Sequence, residues 1–128
     1  MEQKIKYWHD LATYDLDTAK AMLKSKRFLY VGYMCHQVIE KILKAYYVKI
    51  AGKIPPYTHN LYFLTTESGL DSKLTEKQKI LLDELEPLNI EARYPEYKER
   101  LLKQLTIPRC KEIISETEKL YQWIYQLL

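Results

Sequence analysis

Apolar side chains recur at three- and four-residue spacing along most of the chain, the period of an α-helix with one buried face. Between Lys4 and Lys24 they fall at Trp8, Leu11, Ala12, Leu16, Ala19, Met22 and Leu23. Asp15 interrupts this stripe, and a carboxylate there needs a partner on another helix or a wet cleft. The longest pattern runs from Tyr30 to Ala51, with Cys35, Val38, Ile39, Ile42, Leu43, Tyr46 and Ile50 predicted inward. His36, Glu40 and Lys44 follow at successive fours on another face, with Lys41 beside them. Gly52 suits the residue after a helix end, and Pro55 and Pro56 cannot continue a helix because they lack backbone donors.

Thr58 to Ser68 reads as a short helix closed by Gly69. Thr75 and Gln78 stand at capping-box spacing, and Leu81, Leu85, Leu88 and Ala92 continue one stripe. That stripe passes through Pro87, which predicts one kinked helix ending at Arg93–Tyr94–Pro95. The following stretch, EYKERLLKQLT, reads as a loop with at most one helical turn. Pro108 fits the first turn of a last helix that points Cys110, Ile113, Ile114, Thr117, Leu120, Ile124 and Leu127 inward. The expected fold class is all-α, an up-and-down antiparallel bundle of four long helices and one short one. Residues 1–128 are expected to form a single domain, enough chain to bury roughly two thirds of its unfolded surface.

Composition narrows the function. Three glycines disfavour a glycine-rich phosphate loop, and the formal net charge of +3 is small for a dedicated duplex-DNA binder. No window resembles a signal peptide or reaches the length of a membrane span, so the expected location is cytoplasmic, with no membrane contact. Cys35 and Cys110 fall on apolar stripes, as reduced core thiols of such a protein would. No metal is expected from three well-separated histidines without a CxxC pair, and no cofactor is expected either. Twelve tyrosines against two tryptophans and two phenylalanines suit half-buried surfaces such as a subunit interface.

The catalytic templates GxGxxG, GxxxxGK[ST], HExxH, GxSxG and DxDxDG are all absent from the sequence. What remains is a set of polar residues near chain turns: Glu40, Lys41, Lys44, His59, Asn60, Arg93 and Tyr94. Such a set can bind phosphate and stack a base. Each also has a plain structural use. Glu40 and Lys44 make an i,i+4 pair suited to a solvated helix face, Arg93 can cap carbonyls at a helix end, and His59 can serve a turn.

In series, these residues resemble the HEPN domain family (higher eukaryotes and prokaryotes nucleotide-binding). Asp15 and Leu16 match its first helix, and Glu40, Lys41, Leu43, Lys44 and Ala45 its second. Pro55, Pro56, His59, Asn60 and Leu61 match its proline-rich loop with the following His-Asn-Leu. Arg93, Tyr94 and Pro95 match its Arg-Tyr-Pro mark. The resemblance implies a helical bundle, a homodimer and a minimal nucleotidyltransferase partner, in some cases within a toxin–antitoxin system. It also implies a nucleotide- or RNA-binding site built from the polar set above. Many members are metal-independent ribonucleases with an Arg-x4–6-His motif. Here Lys98, Glu99 and Arg100 occupy the histidine positions after Arg93, and Arg27, Arg100 and Arg109 have no histidine at that spacing either. The expectation is therefore a non-catalytic binding module, with a ribonuclease using His59 and Arg93 as the alternative.

Overall fold

The structure, a computed structural model, describes residues 1–90 and 94–128. Six α-helices account for most of the described residues, which contain no strand: α1 (Glu2–Lys24), α2 (Phe28–Ala51), α3 (Leu61–Ser68), α4 (Glu76–Leu85), α5 (Pro95–Gln104) and α6 (Ile107–Tyr125). Two 3-10 turns, Leu70–Lys73 and Glu86–Leu88, link α3 to α4 and follow α4. An up-and-down bundle fits this arrangement. α1 and α2 run antiparallel, since Trp8 meets Lys44 while Asp15 meets Lys41. α6 returns along α1, with His9 against Tyr125 and Tyr121, and Lys20 against Glu118.

α2 is the central element. Apolar residues on several of its faces, from Val31 to Val48, are buried, because α1, α3 and α6 all pack on it. At Gly32 a Cβ would approach Leu88 to 3.1 Å, so the missing side chain admits the turn after α4 close to the helix. The expected capping devices are present: Thr75 and Gln78 close the capping box of α4, and Gly52 ends α2 at φ 66°. Asn60 and Thr106, not expected as caps, cap α3 and α6.

The helix count differs from the expected four long and one short, and two prolines are the reason. α4 stops at Leu85, and Pro87 sits in the 3-10 turn that follows instead of kinking a continuous helix. A proline donates no backbone hydrogen bond, and its ring crowds the preceding carbonyl. Leu81, Leu85 and Leu88 are nevertheless all buried as the stripe predicts, whereas Ala92 lies outside the described residues. Pro95 opens α5 at its first position, so it marks a helix start and not a stop. The segment read as a loop is thus a ten-residue helix that buries Leu101. Ile50, expected inward, is 55% exposed in the last turn of α2, beyond the cover of the neighbouring helices.

Candidate functional site

The spacing that places Glu40 and Lys44 one turn apart on α2 also turns them into the bundle, because α2 is enclosed on most sides. They are 2% and 5% exposed, and Lys44 Nζ donates to Glu40 Oε2 at 3.0 Å. The pair is therefore buried, not a solvated helix face. Lys44 Nζ also lies 5.2 Å from the centre of the Trp8 ring, a cation–π contact supplied by α1. The other Glu40 oxygen, Oε1, meets His59 Nδ1 at 2.9 Å. One carboxylate thus joins α2 to the loop ahead of α3.

His59 reaches that position because the loop is constrained on both sides. Pro55 is buried and Pro56 follows it, and Asn60 Oδ1 accepts from Phe63 N at 2.9 Å to start α3. The imidazole is 41% exposed, and the Tyr57 ring packs edge-on against it with centroids 5.9 Å apart. When Nδ1–H donates to Glu40, the neutral ring keeps its Nε2 lone pair free, and Nε2 then faces away from the carboxylate.

Lys41, one residue on from Glu40, bonds Asp15 Oδ2 at 2.8 Å and Gln37 Oε1 at 3.0 Å. The acid that interrupts the α1 stripe is thereby satisfied by α2. Behind Glu40 lies His36, fully buried, with Nδ1 4.0 Å from Glu40 Oε1. Burial pushes the His36 pKa down to about 4, against the pull of the Glu40 carboxylate and the His59 backbone. His36 is therefore neutral at physiological pH.

Of the seven residues singled out in the sequence, the structure joins Glu40, Lys44 and His59 directly and sets Lys41 beside them. Asn60 is engaged as a helix cap. Tyr94 precedes Pro95 at the head of α5, is 80% exposed, and makes no hydrogen bond to the Glu40 group among the described residues. Arg93 lies outside the described residues. Sequence reasoning set His36 on one face with Glu40 and Lys44 but missed the contributions of Trp8, Gln37 and Tyr57. The i,i+4 spacing of Gln37 and Lys41 was the available signal for one of them. Cys35 and Cys110 are buried free thiols, and burial raises the Cys35 pKa to about 12. Among the described residues, no group of three or more His, Cys, Asp or Glu side chains is placed to hold a metal ion. Nor is any described helix long and apolar enough to cross a membrane.

The family model for the HEPN domain matches residues 5–127. The chain belongs to the HEPN domain family. The crystal structure of TT1696 from Thermus thermophilus superposes on this HEPN domain with a TM-score of 0.83, covering 98% of each chain at 18% sequence identity. At that identity the likeness is one of fold. No curated protein gives a significant match to the chain.

Proposed function

We propose that this HEPN domain is a non-catalytic module that binds a nucleotide or RNA at the surface around His59. The observation that supports this most is the fixture behind that histidine: a buried carboxylate, neutralised by Lys44, that holds Nδ1 of a half-exposed ring and leaves its other nitrogen uncommitted to that carboxylate. A ring so oriented can accept from a base N–H or a ribose hydroxyl through Nε2, or donate to a phosphate when protonated. Tyr57 offers a flat aromatic surface beside it. Lys44 braces Glu40 from within, and the phosphate contact is assigned to Arg93, with Tyr94 next to it in sequence. A homodimer and a minimal nucleotidyltransferase partner, in a toxin–antitoxin type of system, complete the reading on family grounds.

Isothermal titration with ATP, other nucleotides and short RNAs tests the ligand. Binding is expected, weakened at least roughly tenfold by His59→Ala and by Arg93→Ala, the loss of one or two hydrogen bonds. No binding to any of them would remove the site assignment. Co-expression with a neighbouring nucleotidyltransferase, followed by co-purification, tests the partner.

One observation favours a ribonuclease as a second reading. Glu40 and His59 have the geometry of a carboxylate that orients an imidazole base. RNA cleavage in the presence of chelator by the purified protein, lost in His59→Ala, would establish it.

A further inference from the structure

The connection from α2 to α3 is anchored at both ends, yet it presents large apolar side chains to water. Gly52 fixes its start in the left-handed region, and the buried Pro55 and the Asn60 cap fix its far end. Ile50 in the last turn of α2, and Ile54 and Tyr57 in the connection itself, have 55%, 70% and 95% of their surface exposed. Isolated exposed apolar residues are common, but three within eight residues, from the last turn of α2 into the loop, concentrate apolar surface in the way that marks a contact surface.

The charge around the patch has one sign along the chain. No acidic residue occurs between Glu40 and Glu67, a stretch that holds Lys41, Lys44, Lys49 and Lys53. Lys41 and Lys44 are matched inside the fold by Asp15 and Glu40. Lys49 and Lys53 form no ion pair among the described residues, although Lys49 borders a cleft shared with Glu2 and the Lys6–Asp10 pair of α1.

We propose that this loop docks an acidic protein segment carrying apolar anchors. Ile54 and Tyr57 enter its apolar face, while Lys49 and Lys53 meet its carboxylates. The pre-set backbone reduces the ordering cost of such a contact. A second copy of the chain presenting the same loop would set lysine against lysine across a two-fold axis. A nucleic acid would leave the isoleucines without a counterpart. The inference does not need the nucleotide-binding reading, although a docked segment would cover His59, whose ring touches that of Tyr57.

The test is selection of a phage-displayed library of random peptides of about 12 residues, a length that spans one helical or extended recognition segment, on the full chain. The enriched peptides are then titrated calorimetrically. The expected peptides are net acidic with Leu, Phe or Trp anchors. Both Ile54→Ala/Tyr57→Ala and Lys49→Glu/Lys53→Glu should weaken them at least roughly tenfold. Peptides with lysine in place of each acid should prefer the Lys49→Glu/Lys53→Glu variant. Enrichment without net negative charge, or affinities that neither variant changes, would overturn the proposal. So would flotation with phosphatidylserine-containing vesicles, or self-association in sedimentation, if Ile54→Ala/Tyr57→Ala abolished it. Those outcomes would give the loop to a membrane or to a second copy. Nucleotide titration of Ile54→Ala and of Lys49→Glu/Lys53→Glu, which leave Tyr57 and His59 in place, separates this result from the fate of the His59 site.

Discussion

Replacing Glu40 by alanine removes one carboxylate and strands two partners. Lys44 keeps a buried ammonium beside the Trp8 ring without its carboxylate, and His59 loses the anchor of its Nδ1. Breaking a buried pair by removing one member typically costs about 3–5 kcal/mol, because the remaining charge is left uncompensated. Lys44 is 5% exposed, so water reaches it poorly and the upper part of that range applies. Glu40→Gln keeps the shape and one acceptor and should cost about half as much. In Glu40→Ala/Lys44→Met the stranded charge is gone, and the loss should fall at least about 2 kcal/mol short of the sum of the single losses. Urea unfolding measures the parent protein and each variant, with unchanged slopes confirming that the midpoints report stability. Additivity of the two single changes to within about 0.5 kcal/mol would refute the reasoning, since it would mean that the pair is not coupled.

Further expectations follow from other residues. His36 has a folded pKa near 4 against 6.5 for the free side chain, so below pH 6.5 the unfolded chain takes up the proton first. Stability should fall by about 3 kcal/mol from this group between pH 6.5 and 4, and its NMR resonances should not titrate near neutrality; a midpoint of 6 to 7 would contradict its burial. Cys35 and Cys110 should resist a thiol reagent in the native state and react once urea unfolds the chain, whereas fast native reaction would place them at the surface. Lys26 holds a left-handed backbone at φ 62° between α1 and α2, so Lys26→Gly should raise stability by up to about 1 kcal/mol in thermal unfolding. Asn60→Ala should cost about 1 kcal/mol through the lost cap of α3. An equal loss of nucleotide affinity with no loss of stability would instead make Asn60 a ligand contact.

The parts of the fold that were legible in the sequence are those set by local periodicity and capping. The stripes of α1, α2 and α6, the Thr75–Gln78 box and Gly52 each follow from residues within a turn or two of one another. Pro87 and Pro95 were misread because a proline ends one helix and opens another with the same chemistry. Which role applies depends on whether an apolar stripe resumes beyond it, and the stripe of α5 is only one buried leucine wide. At the site, the i,i+4 spacing revealed the Glu40–Lys44 pair but not its burial. Burial comes from how many helices surround α2, a long-range property that spacing does not carry. Trp8 and Tyr57 were missed for a related reason: each joins the group only through tertiary packing or the path of the loop, whereas Gln37 joins through i,i+4 spacing to Lys41 on α2.

The double use of Glu40 bears on the choice between binding and cleavage. A carboxylate that orients a catalytic imidazole helps most when its full charge is free to stabilise the imidazolium formed as the base takes its proton. Here Lys44 Nζ lies 3.0 Å from the same carboxylate, inside the bundle, and already offsets that charge. Less of it is left for a developing positive charge on His59, while the hydrogen bond that fixes the ring is kept. The arrangement therefore holds the ring in place as a hydrogen-bonding edge. That fits the absence, at the allowed positions after Arg93, of the histidine that ribonucleases of this family carry. Lys44→Met, which releases Glu40 to His59 alone, separates the two roles. In a cleaving protein it should raise the rate against RNA, and in a binding module it should change only affinity and stability.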